Sequence, residues 1–391
     1  MHNRPVLPGI QKIVGEMIAI RRHMHAYPEL SLKETATSAL VAEKLEQWGY
    51  EVHRGIGVTG VVGVLRQGTG SKMLGIRADM DALPIPEQTG LPYGSQHSGV
   101  MHACGHDGHT AMLLAASRCV ADTRQFDGTL VVIFQPAEES DDGAQKMLDD
   151  GLLKRFPCDV IFGMHNMPGM PVGKLGFRSG PSMASTDTLK IKISGAGGHG
   201  AMPHKTVDPI LVGACIVSAL QSIVSRNTDP MDTAVITVGS FHAGGAPNVI
   251  PDHAELQLSV RALRPKVRDN LIQRIDQLVH AQALSFGAKA AVEIVAGQSL
   301  PPLINDLEAT NFARKVAVDW LGEQEVILDM PAIAASEDFA VMLQACPGCY
   351  LFIGNGEDGP SLHSAEYDFN DQSLGTGASY WVRLVEKYLA L

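Results

Sequence analysis

The sequence predicts an α/β fold in which a mainly parallel sheet is interrupted by an inserted ferredoxin-like domain of β-α-β-β-α-β order. In the first half of the chain, short and continuously apolar runs alternate with helical stretches. Between residues 184 and 295 the runs instead alternate apolar and polar residues, as half-buried strands do. The chain of 391 residues is also longer than one hydrophobic core usually supports, so two domains are expected.

The larger domain is predicted from four runs that have the length of a strand and are apolar almost throughout, at 61–65, 73–76, 130–134 and 160–164. Continuous apolarity is typical of strands that are buried on both faces, as in parallel sheets. The stretch HTAMLLAASRCV, which is rich in small residues, lies between two of these runs and predicts a helix. Nearer the start, Ser31 and Glu34 have the spacing of a capping box before a helical pattern that ends at Gly49.

The inserted domain is predicted from four strand-like segments and two helical ones. TLKIKISG is followed by a helix that begins at Asp208-Pro209, because Pro is favoured in the first helical turn. TAVITVGSF, ELQLSVRAL, a helix over 266–285 and AAVEIVAG complete the split βαβ order. We therefore expect a discontinuous larger domain, 1–183 and 296–391, with the insert at 184–295.

Composition excludes several classes of protein. The net charge of −11 and the pI near 5.7 disfavour nucleic acid as a partner, because phosphate binding needs a basic face. The beginning of the chain lacks the apolar core of a signal peptide, and no stretch has the roughly 18 consecutive apolar residues of a membrane span. Six cysteines do not form a disulfide scaffold in so long a chain, so reduced thiols and a cytoplasmic location are expected.

The segment MHACGHDGHT holds the densest group of metal-binding side chains. Cys104 and His106 are two residues apart, so on extended backbone both side chains leave from the same face. A thiolate and an imidazole on one face suit zinc or a similar divalent transition metal. His102 and His109 are interpreted as residues of the loop and of the helix start.

The segment IFQPAEES places two carboxylates after an apolar run, at the predicted end of a buried strand. Glu138 and Glu139 are adjacent, so on extended backbone they point in opposite directions. One carboxylate can therefore hold a metal while its neighbour faces the substrate.

Three further polar side chains follow apolar runs, and one more lies in a polar loop. Asp79, Asp81 and His165 lie just beyond predicted strands, and His363 lies in a polar loop after the run YLFIGNG. In open α/β sheets, the ligand crevice lies outside the carboxyl ends of the strands. A catalytic zinc needs only three protein ligands, so a two-metal site is the economical interpretation of five candidate ligands, namely Cys104, His106, Glu139, His165 and His363.

Eight segments spread over nearly the whole chain resemble one enzyme family. They are RRHMHAYPELSLKE, RADMDALPI, MHACGHDGHTAMLL, QPAEES, GMHN, GGHGAMPH, NVIPD and LHSAEYDFND. The family is the hippurate hydrolase and indole-acetyl-amino-acid hydrolase branch of the aminoacylase/carboxypeptidase metallopeptidase superfamily. The resemblance implies a metal-dependent hydrolase that cuts the amide bond of N-acyl amino acids, with two divalent ions (Zn, Mn, Ni or Co) per subunit.

The resemblance also implies roles for individual residues. It makes Cys104, His106, Glu139, His165 and His363 the metal ligands and Glu138 the general base. It makes the insert a lid that forms a homodimer or homotetramer, in which His199 helps to hold the tetrahedral oxyanion. Asn248 and Arg261 would orient the substrate carboxylate. Apart from the resemblance, Asp81 is a candidate either for orienting a metal ligand or for forming a turn. LSVRAL departs from the Gly-Thr-x-Arg strand of many relatives but keeps its arginine.

Two alternatives remain open on the sequence alone. A dipeptidase or carboxypeptidase of the same superfamily would share most of these residues, although such relatives tend to bridge their metals with an Asp. A non-catalytic metal-binding dimer would bind metal without hydrolysis, but gives no reason for a second glutamate beside Glu139. The acyl group of the substrate and the identity of the metal are not indicated by the sequence.

Overall fold

The computed structural model describes residues 5–140 and 142–391, and these divide into two compact units. The first unit consists of the described residues up to Gly180 together with Ile304–Pro331 and Asp338–Leu391. The second unit consists of Pro181–Leu303 and Ala332–Glu337, so it contains the whole of the predicted insert and continues past it at both ends. Residues 1–4 and 141 of the predicted larger domain lie outside the described residues.

The helices and strands of both units are numbered in chain order. The α-helices are α1 (Pro8–Ala26), α2 (Thr35–Gln47), α3 (His106–Thr123), α4 (Gly143–Asp149), α5 (Leu152–Arg155), α6 (Pro209–Asn227), α7 (Pro265–Ser285), α8 (Leu307–Leu321), α9 (Phe339–Ala345) and α10 (Asp371–Tyr388). The strands are β1 (Glu51–Ile56), β2 (Gly60–Gln67), β3 (Met73–Asp79), β4 (Gly128–Gln135), β5 (Val160–Pro168), β6 (Leu175–Gly176), β7 (Gly180–Met183), β8 (Thr186–Ser194), β9 (Gly198–His199), β10 (Ala234–Ala243), β11 (Val249–Ile250), β12 (His253–Ala262), β13 (Lys289–Leu300), β14 (Leu303–Asn305), β15 (Val326–Ile327) and β16 (Gly348–Gly356).

The first unit is built on a mixed sheet with the order β1-β2-β4-β3-β5-β16-β6-β15. The four strands at its centre, β4, β3, β5 and β16, run parallel, as the continuous apolar runs predict. Antiparallel pairs flank this centre, because β1 and β2 form a hairpin whose second strand pairs with β4. The mainly parallel α/β fold is thus confirmed, with antiparallel strands added at the edges.

Helix α3 is buried over most of its length between the sheet and other helices. It contacts β3 on one side and α1 and α10 on the other. Alanines and other small side chains at its centre allow this close packing from both sides. The position of its first turn, which carries His106, is therefore fixed by the core of the first unit.

The capping box predicted at the start of α2 is wrong. The helix begins at Thr35, and the side chain of its N-cap residue Glu34 makes no capping hydrogen bond. The Glu29 carboxylate instead accepts hydrogen bonds from the Ala36 and Thr37 amides, at 3.0 and 2.8 Å. The hydroxyl of Ser31 instead donates a hydrogen bond of 2.7 Å to Asp81, and the carboxylate of Glu34 accepts one of 2.6 Å from Thr59. Both side chains therefore bind residues that are distant in sequence.

The second unit contains an antiparallel sheet with the order β10-β12-β8-β13. Alternate residues of its strands, such as Leu189 and Ile191, are buried against α6 and α7. Helix α6 begins as predicted, because Pro209 is its first residue and Asp208 accepts a hydrogen bond from the Ile210 amide. The ferredoxin-like order predicted from the sequence is therefore confirmed.

Helix α6 is the one helix among the described residues that is long and apolar enough to cross a membrane, by length and composition alone. Its residues Val212, Ile216, Leu220 and Ile223 are buried in the core of the second unit. This packing accounts for the apolar side of the helix.

Candidate metal centre and active site

The candidate site is built at the carboxyl edge of the central parallel strands. Asp79 ends β3, and the segment that contains Glu138 and Glu139 follows β4. His165 lies in the last part of β5, between these strands and β16. Because the three strands are parallel, their carboxyl ends meet at one edge, where α/β proteins bind ligands.

The five predicted metal ligands are close together in the first unit. The Sγ atom of Cys104 lies 3.4 Å from Nε2 of His165. The Oε1 atom of Glu139 lies 3.5 Å from Nε2 of His363 and 3.9 Å from Nε2 of His106. The ligand atoms form overlapping groups of three, and within each group they lie within 4.8 Å of one another. One group is Cys104, His106 and His165, and another is Cys104, Glu139 and His363.

Glu138, the predicted general base, lies beside this cluster. Its Oε2 atom is 3.9 Å from Nε2 of His106, and its side chain is almost completely buried. Glu138 and Glu139 both approach the same imidazole nitrogen from neighbouring positions on the loop after β4. The carboxylates are thus placed for one to hold a metal while the other meets a substrate.

Asp81 orients two of these groups. One of its oxygens lies 3.1 Å from Nδ1 of His106, and the other accepts hydrogen bonds from Ser31 and from the Glu139 amide. A carboxylate on Nδ1 fixes the ring and leaves Nε2 to point at the cluster, as is usual for metal-binding histidines. The role proposed for Asp81 from the sequence therefore has a geometric basis.

His109 lies in the first turn of α3 and uses both ring nitrogens within the protein. Its Nδ1 is 2.7 Å from Asp79, and its Nε2 accepts a hydrogen bond of 3.0 Å from the Asn166 amide. These bonds assign it to positioning the strand ends rather than to binding a metal.

Burial and neighbouring charges shift the titration of the cluster. Burial alone would lower the pKa of His106, but the charge of Asp79 and the hydrogen bond to Asp81 raise it to about 10. Burial alone would raise the pKa of Asp81, but its hydrogen bond to His106 and the charge of that ring lower it. The imidazole therefore takes up positive charge when no other cation is near the carboxylates.

The remaining buried ligands are held neutral by the protein alone. Burial, with the charges of Glu139 and Glu138, raises the pKa of the Cys104 thiol well above its usual value. Burial and the neighbouring His109 keep the pKa of His165 well below its usual value. A bound divalent cation would stabilise the thiolate form of Cys104, because a thiol that coordinates a metal loses its proton.

The donor set fits divalent metal ions. Thiolate, imidazole and carboxylate ligands together suit zinc and similar transition metals. The Nε2 atom of His106 is fully buried and has no hydrogen-bond partner among the described residues, although buried polar atoms normally have one. Such an atom beside two carboxylates is what a metal site requires.

Asp338 fixes the strand ends beneath the site. Its carboxylate accepts hydrogen bonds from Arg77 of β3, from Gln135 of β4 and from the Ala144 amide of α4. Arg77 also donates to Asp79 at 2.7 Å. The network connects the segments on both sides of Glu138, and no spacing in the sequence indicated it.

The second unit brings together two of its three predicted site residues. His199 of β9 pairs with Val249 of β11, and Asn248 precedes that strand. The Ala201 amide donates to Nδ1 of His199, so a neutral ring carries its proton on Nε2 and can donate from there. Arg261 lies apart from this pair in β12, and its guanidinium donates to the carbonyl of Ala334.

Sequence reasoning missed two residues that support the site. Glu34 accepts hydrogen bonds from Thr59 and from the Ala137 amide, next to Glu138. Asn166 donates from Nδ2 to the Cys104 carbonyl and accepts from the Tyr367 hydroxyl at 2.5 Å. Asn166 could have been identified from the sequence because it is a polar residue directly after His165 within an apolar run.

Comparison with known proteins agrees with this arrangement. The model of peptidase family M20/M25/M40 matches residues 75–387. A hippurate hydrolase from Campylobacter jejuni is 44% identical over 386 residues, which cover 98% of this chain and 99% of that protein. An N-acetyl-L-cysteine deacetylase from Bacillus subtilis is 40% identical over 358 residues, covering 91% of this chain and 84% of that protein.

Solved structures show the same fold. A putative aminohydrolase from methicillin-resistant Staphylococcus aureus superimposes with a TM-score of 0.91 at 35% identity, covering 97% of this chain and 98% of that one. A dinuclear metal-binding peptidase of the M20 family from Bacillus subtilis has a TM-score of 0.84 at 32% identity, covering 97% and 99%. The chain belongs to peptidase family M20/M25/M40 and is an amidohydrolase of that family.

Proposed function

We propose that this enzyme hydrolyses the amide bond of N-acyl amino acids such as hippurate, and that it requires two divalent metal ions to do so. The observation that carries the proposal is the convergence of five ligand side chains beside Glu138 at one edge of the sheet. The names of two relatives support the substrate class, since one is a hippurate hydrolase and one an N-acetyl-L-cysteine deacetylase.

Cys104, His106, Glu139, His165 and His363 would hold the metal ions. When bound, these ions would polarise the scissile carbonyl and acidify water in the site. Glu138 accepts the proton of the attacking water at its carboxylate and delivers it to the nitrogen of the leaving amine. Asp81 holds the ring of His106 in the orientation that its ligand role needs.

The family resemblance assigns further roles to three residues of the second unit. The Nε2 proton of His199 can donate to the oxyanion of the tetrahedral intermediate. Asn248 and Arg261 are proposed to orient the substrate carboxylate, to which guanidinium groups bind well. These three roles come from the family resemblance, and the pairing of β9 with β11 supports only those of His199 and Asn248.

We also propose that the second unit forms the contact between subunits of a homodimer or homotetramer. In the part of the chain that the structure describes, one side of its edge strand β10 pairs with no other strand. Three large apolar side chains nearby are at least one-third exposed, namely Ile210, Leu211 and Phe241. Light scattering on a size-exclusion column tests this proposal. A monomer for the wild-type protein would contradict it.

Amino-acid release from a panel of N-acyl amino acids tests the reaction. The panel is led by hippurate and N-acetylcysteine, with free dipeptides included to detect a peptidase. The protein is stripped with a chelator and restored with manganese, zinc, cobalt or nickel. Metal-dependent release from an N-acyl amino acid supports the proposal, whereas hydrolysis of dipeptides alone would favour the peptidase alternative.

Two adjacent glutamates provide a matched pair of variants. Glu138→Gln should retain the metal and lose nearly all turnover, because an amide cannot accept the proton. Glu139→Gln should lose metal content as well as activity. Wild-type turnover in Glu138→Gln would rule out this residue as the general base.

A further inference from the structure

The loop after β4 reaches Glu138 through a residue with strained backbone. Ala137 directly precedes Glu138 and is fully buried, and its φ of +55° lies in the left-handed region. A residue with a Cβ atom adopts this conformation rarely and at a cost in free energy. Such a conformation persists only where the surrounding structure fixes it. The contacts of Ala137 therefore decide the direction in which the chain enters Glu138.

Two carboxylates from outside the loop hold the backbone amides on either side of Glu138. Glu34 accepts a hydrogen bond of 2.9 Å from the Ala137 amide. Asp81 accepts one of 3.0 Å from the Glu139 amide. The proposed general base thus lies between two peptides that are each anchored to a side chain distant in sequence.

Glu34 is itself fixed in the interior of the first unit. Its side chain is fully buried, and its second oxygen accepts a hydrogen bond of 2.6 Å from the Thr59 hydroxyl. Thr59 precedes Gly60, the first residue of β2. This segment packs against the loop, since a Cβ atom on Gly60 would lie 3.0 Å from Cδ of Pro136. One oxygen of Glu34 is therefore held by the end of a strand, while the other holds the Ala137 amide.

The two carboxylates differ in their other contacts. Asp81 also lies 3.1 Å from Nδ1 of His106, a proposed ligand, so its loss would disturb the metal site as well. The side-chain hydrogen bonds of Glu34 go to Thr59 and Ala137, and neither of these is a proposed ligand. Removal of the Glu34 carboxylate should therefore release the loop while the metal ligands keep their contacts.

We propose that Glu34 is a positioning residue for the reaction, because its carboxylate, held by Thr59, fixes the peptide from which Glu138 projects. The inference rests on the proposed function, since it takes Glu138 as the general base. Rotation about the N–Cα bond of Ala137 would displace the Glu138 carboxylate from the water that it deprotonates. A misplacement of about 1 Å can lower a rate by about 100-fold.

The test is the steady-state kinetics of Glu34→Ala on the N-acyl amino acid that the wild type hydrolyses best, with metal content measured on the same preparation. The value of kcat should fall by about tenfold or more, because the base is misplaced. KM should stay within about threefold of the wild type, because substrate binding is not changed. Metal content should equal that of the wild type. Glu34→Gln should restore most of kcat, because its amide can accept from Ala137 and donate to the Thr59 hydroxyl.

Glu29→Ala is the matched control, since this carboxylate lies in the same segment and accepts hydrogen bonds from the Ala36 and Thr37 amides at the start of α2. The Tm of this variant should fall, but its kcat should equal that of the wild type. Where Glu34→Ala does not fold, Thr59→Val takes its place. That variant keeps the branched shape, removes the hydroxyl that holds Glu34, and should lower kcat with normal metal content.

Wild-type kcat in Glu34→Ala, or in Thr59→Val where it is used instead, would overturn this inference while the proposed function stands. An equal loss of kcat in Glu29→Ala would also overturn it, because the effect would then follow from stability alone. A loss that Glu34→Gln does not restore, or one that follows a loss of metal, would do the same. A wild-type enzyme that hydrolyses no N-acyl amino acid would overturn both proposals.

Discussion

Replacing Asn166 by Ala should destabilise the first unit strongly. The Asn166 side chain lies in the interior, where it donates to the Cys104 carbonyl at 2.6 Å and accepts from the Tyr367 hydroxyl at 2.5 Å. Alanine removes both bonds and leaves both partners without one. The segments connected by this side chain include the proposed ligands Cys104 and His165.

The magnitude follows from the two groups left unpaired. A buried polar group that loses its partner costs about 1–3 kcal/mol, so Asn166→Ala should lower the free energy of unfolding by about 2–6 kcal/mol. Tyr367→Phe leaves only the Asn166 oxygen without a partner, so its cost should be about 1–3 kcal/mol. The metal content of Asn166→Ala should also fall, because Cys104 is no longer held.

Guanidinium unfolding followed by tryptophan fluorescence measures these changes on metal-free protein. All three tryptophans, Trp48, Trp320 and Trp381, belong to the first unit, so the signal reports on that unit. The Tyr367→Phe variant serves as the internal comparison. A loss below about 1 kcal/mol in Asn166→Ala would refute the reasoning, because it falls under the cost of even one unpaired group.

Three further changes test separate parts of the structure. Cys104→Ala should lower the metal content of the purified protein, measured by elemental analysis, and normal occupancy would remove this residue as a ligand. Gly143→Ala should reduce kcat about tenfold or more, because the new methyl group would overlap the Pro136 carbonyl and displace the loop of Glu138; wild-type kcat would contradict this. Asp187→Asn weakens the pair between the buried Asp187 and the partly exposed Arg268, which donates two bonds of 2.7 Å. The free energy of unfolding of the second unit should fall by about 1.5–3 kcal/mol, and amide hydrogen exchange in that unit should become faster. Unchanged exchange would contradict a stabilising role of the pair.

The strands and the ligand cluster could be predicted because their signals are local. Continuous apolar runs give β3, β4 and β5, and polar residues directly after such runs lie at the carboxyl edge of a parallel sheet. The spacing of Cys104 and His106 is likewise visible within three residues. For these features, short stretches of sequence carry enough information.

The supporting contacts could not be predicted, because they join residues that are far apart in the chain. Ser31 and Glu34 have the spacing of a capping box, yet their partners are Asp81, Thr59 and Ala137. The same side chain can satisfy a local or a distant partner, and only tertiary packing decides between them. That the short segment 332–337 belongs to the second unit could not be predicted either, because nothing in its composition indicates its neighbours.

The order of strands in the first unit determines how far synthesis must proceed before that unit can fold. The nascent chain emerges from its N-terminus, and domains generally fold as units during synthesis. All four strands of the ferredoxin-like sheet have been made once Leu300 is reached. In the first unit, β5 cannot pair with β16 until residue 348 has been made, because Gly348 pairs with Ile161. A chain terminated before residue 348 would therefore contain every strand of the second sheet, while the first would lack a central strand and the site would lack His363.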